Sequence, residues 1–219
     1  MFIGHYGPAL AGKSAAKAVP LWALFVAVQF LDYLWGLFIV LGVERMRIEP
    51  GFTTMSPLDL YDMPWTHSLL MAGVWSLILG AGWAAMTKSQ KALGGLVMGL
   101  AVLSHWFLDL LMHVPDLPLW PDGPKVGFGA WRNEWLTLVL EFGVLALGCA
   151  FYLGATKPKG AMGRVGPVLL ALIMLGVYWF SLTGPLPSRP NEAGLMAIFA
   201  YTLMALLAWL LCDRTRAAK

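Results

Sequence analysis

The sequence predicts an all-α polytopic membrane protein with about six transmembrane helices and an N-terminal segment that is either interfacial or re-entrant. Two observations carry this. First, 59% of the 219 residues are hydrophobic, the mean hydropathy is +0.70, and only 12% are charged. That leaves too little charged surface for a soluble domain of this size. Second, six windows reach the roughly 20 apolar residues that a bilayer crossing needs: 20–43, 66–86, 92–113, 133–153, 164–183 and 193–212. The length suits a single helical domain over 1–219.

The N-terminal stretch MFIGHYGPALAGKSAAKAV is built from small residues with two lysines. It reads either as an interfacial helix or as a segment that re-enters the bundle and carries His5 inward. Irregular backbone is tolerated at membrane depth only where protein or water covers it. Pro20 and Pro167 suit helix starts, where a missing N–H is harmless. Thr66 and Asn133 suit N-caps. The first window carries Asp32 and lacks a small-residue cleavage pattern, so it is a span and not a signal peptide.

The loops 44–65 and 114–132 are the long connections. Ten Lys and Arg (Lys13, Lys17, Lys88, Lys91, Lys157, Lys159, Arg164, Arg214, Arg216 and Lys219) flank the opposite ends of the spans. Only five (Arg45, Arg47, Lys125, Arg132 and Arg189) lie on the side of these loops. The positive-inside bias then places both termini in the cytoplasm and the two long loops outside. Trp65, Trp120 and Trp131 fit an interfacial aromatic belt there. The net charge of +3 is not clustered, so no nucleic-acid partner is expected. Cys149 and Cys212 lie in apolar runs and form neither a CxxC site nor a disulfide framework.

Ionisable groups inside a membrane cost energy and mark function. The chain has four histidines, His5, His67, His105 and His113. In SHWFLDLLMHVPD, His105, Asp109 and His113 are spaced i, i+4, i+8. On a helix they share a face, rising about 6 Å and drifting about 40° per step. A carboxylate with an imidazole one turn to each side can seed a two-metal site, each Asp oxygen serving a different ion. Asp32 lies about 18 Å into the first span and needs a metal, a cation or a proton. Glu134 and Glu141, on the fourth window, are candidates for orienting a metal-bound imidazole from behind or for adding a ligand. The loop residues Asp59, Asp62 and Asp116 are expected to be solvated or turn-forming. No GxSxG, HExxH or Walker motif is present.

The stretches FIGHYGPALAGK, VERMRIEPGFT, PLDLYDMPWTHSLL and LSHWFLDLLMHVPDLPL resemble a bacterial family of predicted membrane-bound metal-dependent hydrolases. The resemblance covers roughly residues 2–120; the later spans match only in hydrophobic character. It implies a metal-dependent hydrolase of the bacterial inner membrane. A more distant resemblance is to the zinc-dependent phospholipase C and single-strand nuclease superfamily, whose ligands run His, Asp, His, HxxxD, His. Here that order is His5, Asp32, His67, His105, Asp109 and His113. It implies two zinc ions bridged by Asp109, one held also by Asp32, His67 and His105, the other by His5 and His113. The later HxxxD of that superfamily is missing, as no histidine follows His113.

The expected function is therefore hydrolysis by metal-activated water, on a phosphoester of a lipid or lipid-linked substrate, with Asp32 and Asp109 catalytic. Two alternatives remain open: a zinc lipid amidase resembling the alkaline ceramidases, whose late HxxxH is absent here, and an ion or metal transporter.

Overall fold

The computed structural model describes all of residues 1–219. It is all-α. Five helices are long and apolar enough to cross a membrane, and there are six if the bent pair α2 (Leu21–Val28) and α3 (Phe30–Val40), which meet at 53°, counts as one span. The others are α4 (Leu69–Met86), α5 (Lys91–Met112), α6 (Glu134–Ala155), α7 (Ala161–Thr183) and α8 (Pro190–Ala208), with α8 running on through a π turn to Asp213. Their outward faces carry exposed Leu, Val, Phe and Trp, as lipid contact requires.

The N-terminal segment lies inside the bundle. A 3-10 turn (Ile3–His5) leads into α1 (Tyr6–Ala15), which packs on α2, α5 and α6. Ile3, His5, Tyr6 and Ala9 are fully buried. Ten helical residues span only about 15 Å, so α1 does not cross. Glycine permits its approach to α6: a Cβ on Gly148 would lie 2.4 Å from the Gly7 carbonyl oxygen. Since both partners there are backbone, Gly148→Val is expected to separate α1 from α6. The loss is about 1–3 kcal/mol on the scale of overpacked cores. Gly143→Ala, which meets nothing within 4 Å, is the control. Thermal unfolding of the two variants in detergent reads the difference.

The long loops carry short antiparallel hairpins. Strands β1 (Arg45–Ile48) and β2 (Leu58–Asp62) pair in the first, and β3 (Leu117–Pro118) and β4 (Lys125–Val126) in the second. The opposite face is tied by β5 (Thr156–Pro158) and β6 (Arg216–Ala218), and by Lys17 Nζ, which donates to the Lys219 carbonyl. Asp213 there accepts from the N–H groups of Leu21 and Trp22, capping α2.

Two helix-boundary expectations are corrected. Pro20 does precede α2, but Pro167 lies inside α7, which begins six residues earlier at Ala161. Pro167 has no N–H for the carbonyl of Gly163, and the Arg216 guanidinium donates to that oxygen instead. Asn133 caps α6 by accepting from Leu136 N. Thr66 does not cap α4; Ser68 does, accepting from Met71 N, which frees the Thr66 hydroxyl for the site below.

Candidate metal centre

All four histidines and two aspartates converge in the middle of the bundle. His5 comes from the N-terminal turn, Asp32 from α3, His67 from the segment before α4, His105 and Asp109 from α5, and His113 from its C-cap. The imidazoles are each at most 2% exposed, as is Asp109. The helical spacing of His105, Asp109 and His113 does put them on one face, facing inward.

The outer nitrogens of three imidazoles are tied down. His105 Nδ1–H donates to the carbonyl of Val28, 2.7 Å away, at the break between α2 and α3. His113 Nδ1–H donates to Asp116 Oδ1 at 2.8 Å. His67 Nδ1 lies 2.8 Å from Thr66 Oγ1, whose own hydroxyl donates to Glu44 Oε2 at 2.6 Å. That hydroxyl proton is committed to Glu44, so the Thr66 oxygen accepts and His67 Nδ1 is the donor. Each ring is therefore the Nδ1–H tautomer when neutral, and each presents the bare lone pair of Nε2 inward.

Those lone pairs meet carboxylate oxygens. His67 Nε2 is 3.3 Å from Asp32 Oδ1 and 3.7 Å from Asp109 Oδ2. His105 Nε2 is 3.5 and 3.0 Å from the same two atoms and makes no hydrogen bond. Acceptor facing acceptor in a buried site is unfavourable unless a metal ion or a proton lies between. Four donors on a tetrahedral ion with bonds of roughly 2.0–2.1 Å sit about 3.3–3.4 Å apart, so these separations fit such a cage. The donor set, two imidazoles and two carboxylates, suits zinc.

The second ion's set is arranged differently from the expectation. His5 Nε2 faces Asp109 Oδ1 at 3.1 Å, whereas His113 Nε2 faces Oδ2 at 3.6 Å. His113 thus shares the oxygen that His67 and His105 approach and lies apart from His5. The chain path accounts for this: His113 follows Asp109 by one turn at the end of α5, while His5 comes from the N-terminal turn and stacks its ring on His105 at 3.8 Å, so that His5, His105 and Asp109 form a second group of converging ligand atoms. The α-amino group of Met1 also contacts Oδ1, at 2.6 Å. His5 Nδ1 is buried without a partner.

Neither glutamate orients an imidazole. Glu134 is exposed at the start of α6, where its charge suits the helix N-terminus. Glu141 is buried and accepts from the N–H groups of Phe2 and Gly4, both at 2.7 Å, so it anchors the segment that carries His5. The residues that orient the rings are Glu44 and Asp116. Asp116, expected to be solvated, is 6% exposed. The HxxD spacing from His113 is the sequence signal for it; Glu44, 23 residues before His67, has none. Burial pushes the Glu44 carboxyl above its ordinary value, and hydrogen bonds from Thr66 and Trp65 oppose that. Partners behind a metal-bound imidazole fix its tautomer and raise its basicity. Thr66→Val is therefore expected to weaken metal affinity about 10–100-fold with the fold intact. Competition with a fluorescent zinc chelator measures this.

A cavity of about 560 Å³ opens beside the cluster and is lined by Asp32, His67, Asp109 and His113 at one end. Tyr201 of α8 donates to Asp32 Oδ2 at 2.6 Å. Fold and site together define a helical integral membrane protein with a buried histidine–carboxylate centre fit for a metal. Comparison with family models, with curated proteins and with solved structures returns no match.

Proposed function

We propose that the protein is a membrane-embedded metal-dependent hydrolase acting on a phosphoester of a lipid or lipid-linked substrate. One observation carries this reading: three imidazoles held at Nδ1 by Thr66, the Val28 carbonyl and Asp116 turn their Nε2 atoms toward two carboxylates. Asp32, His67, His105 and Asp109 would hold one divalent ion, zinc by its donor set. Asp109 Oδ1 and His5 would offer a second position. A divalent ion there would supply Lewis acidity and, taking water as a fifth ligand beside the four protein donors, would lower the pKa of that water toward 7.

The chain's own residues do the rest. Asp109 offers one oxygen to each side. Asp32, at the cavity edge and partly exposed, is the group able to take a proton from water or return one to a leaving group. Tyr201 holds the far oxygen of Asp32 and so leaves Oδ1 turned toward His67 and His105. The apolar bundle keeps bulk water away, so that charge developing in the reaction is felt strongly. The charge bias puts both termini on the cytoplasmic side and opens the site toward the exterior half of the membrane. The β5–β6 pairing, the Lys17–Lys219 bond and the Asp213 cap all lie on the lysine- and arginine-rich face.

Because the complete cage lies on one side of Asp109, a second reading has support: a one-ion zinc amidase acting on a lipid amide. Elemental analysis of purified protein beside a screen on lipid phosphates, phospholipids and ceramides decides. Metal with release of phosphate or phosphorylated head group is expected. Amide cleavage with one ion moves the assignment to the amidase. Metal uptake into proteoliposomes without hydrolysis makes it a transporter, and metal-free protein refutes all of these.

A further inference from the structure

The last two spans carry no charged group in their interiors. Yet they form the other wall of the cavity at the metal centre. On α8, Ala193, Ala197 and Ala200 line it. Their spacing of four and then three residues makes one stripe, and the small side chains leave room. Opposite them, Val177, Tyr178 and Leu182 of α7 close the space. Phe180, Met196 and Phe199 border it and are exposed on the apolar outside of the bundle. On this side the mouth borders lipid, while Met55, Ser56 and Pro57 of the first long loop and Pro185 and Pro187 between α7 and α8 line its other rim. Its other end is polar, at Asp32, Asp109 and His113.

A second observation points to a ligand. Tyr178 is 5% exposed, lines the cavity, and its hydroxyl is buried with no hydrogen-bond partner. Orphaned buried hydroxyls are rare and costly, and this one is free to donate.

We propose that the cleft between α7 and α8 is the substrate channel of this protein, holding one acyl chain of a membrane phospholipid. The chain lies along the alanine stripe and the head group rests at the carboxylates. The Tyr178 hydroxyl donates to an ester oxygen of the lipid. The volume, about 560 Å³, is in the range of pockets that enclose a ligand of this kind. This rests on the hydrolase reading for its chemistry, but binding is tested without turnover.

The test uses the full chain in nanodiscs of phosphatidylcholine containing a trace of the same lipid with a diazirine at the end of one acyl chain. Illumination should label α7 around 177–182 and α8 around 193–203 above the background on the lipid-facing sides of α4 and α6. Ala197→Trp and Ala200→Trp, each filling the cleft from a half-buried position, should bring that labelling down to background. Tyr178→Phe should weaken it. All three should retain metal. Uniform labelling of every exposed helix face, or enrichment that survives both tryptophans in folded protein, overturns the proposal. Metal measured in the same samples separates the two ideas: labelled but metal-free protein keeps the cleft and sinks the hydrolase, while metal-loaded protein without enrichment sinks the cleft.

Discussion

Asp109→Ala is expected to abolish metal binding and all activity. Asp109 is the hub of the cluster. Its Oδ2 is the oxygen approached by His67, His105 and His113, and its Oδ1 meets His5 and the Met1 amine. Truncation removes one donor from the four-donor cage and the only carboxylate shared with the His5 side. It also leaves a buried amine without its counter-charge, which costs several kcal/mol where water cannot reach. Asp109→Asn separates the two effects. It keeps the volume and a carbonyl acceptor but lacks the charge, so it should retain the fold better than alanine does while losing metal affinity by orders of magnitude. Zinc content by mass spectrometry and thermal unfolding, read on both variants, check this. An Asp109→Ala protein with full metal content would refute the shared-carboxylate arrangement.

The parts of this site that were legible in the sequence share one property: their signal is local. His105, Asp109 and His113 repeat at helical spacing, so one face could be read directly. Asp32 was legible as a carboxylate too expensive to bury idly, whereas His67, which alone reads as an interfacial histidine, was legible only by its place in the ligand order of the superfamily the chain resembles. The spans were legible because hydropathy sums over a window. The groups that orient the rings were not, because each is defined by a contact across the fold. Glu44 reaches His67 through Thr66, and the Val28 carbonyl receives His105 from another helix. The break at Gln29 carries neither proline nor glycine, the usual causes of a kink, so nothing local announces the bend that presents Val28 to His105. Pro167 misled for the converse reason. Its cost is offset by Arg216, 49 residues later, whose position depends on β5 pairing with β6. The role of Glu141 was hidden in the same way, since its partners are backbone groups at the far end of the chain.

Glu141→Ala is expected to have the second largest effect, and a selective one. Glu141 is 1% exposed, and its two oxygens accept from Phe2 N and Gly4 N. Removing it leaves two N–H groups unsatisfied, one of them fully buried, at about 1–3 kcal/mol each. The contacts of Met1 and His5 with Asp109 Oδ1 and of Gln29 with the Phe2 carbonyl remain, but with its two N–H groups unsatisfied the N-terminal turn should loosen and carry His5 away from Asp109. The cage of Asp32, His67, His105 and Asp109 takes none of its four donors from that turn, although the His5 ring stacks on His105. Metal content should then fall to the single ion of the cage while the helical bundle persists. Protease sensitivity should appear within the first fifteen residues. Glu141→Gln keeps one carbonyl acceptor and should lie between the two. If Glu141→Ala loses every ion, the His5 side is essential to the cage, and the centre is one cooperative unit instead of two separable positions. If it loses none, His5 holds no ion, and the metal centre is mononuclear.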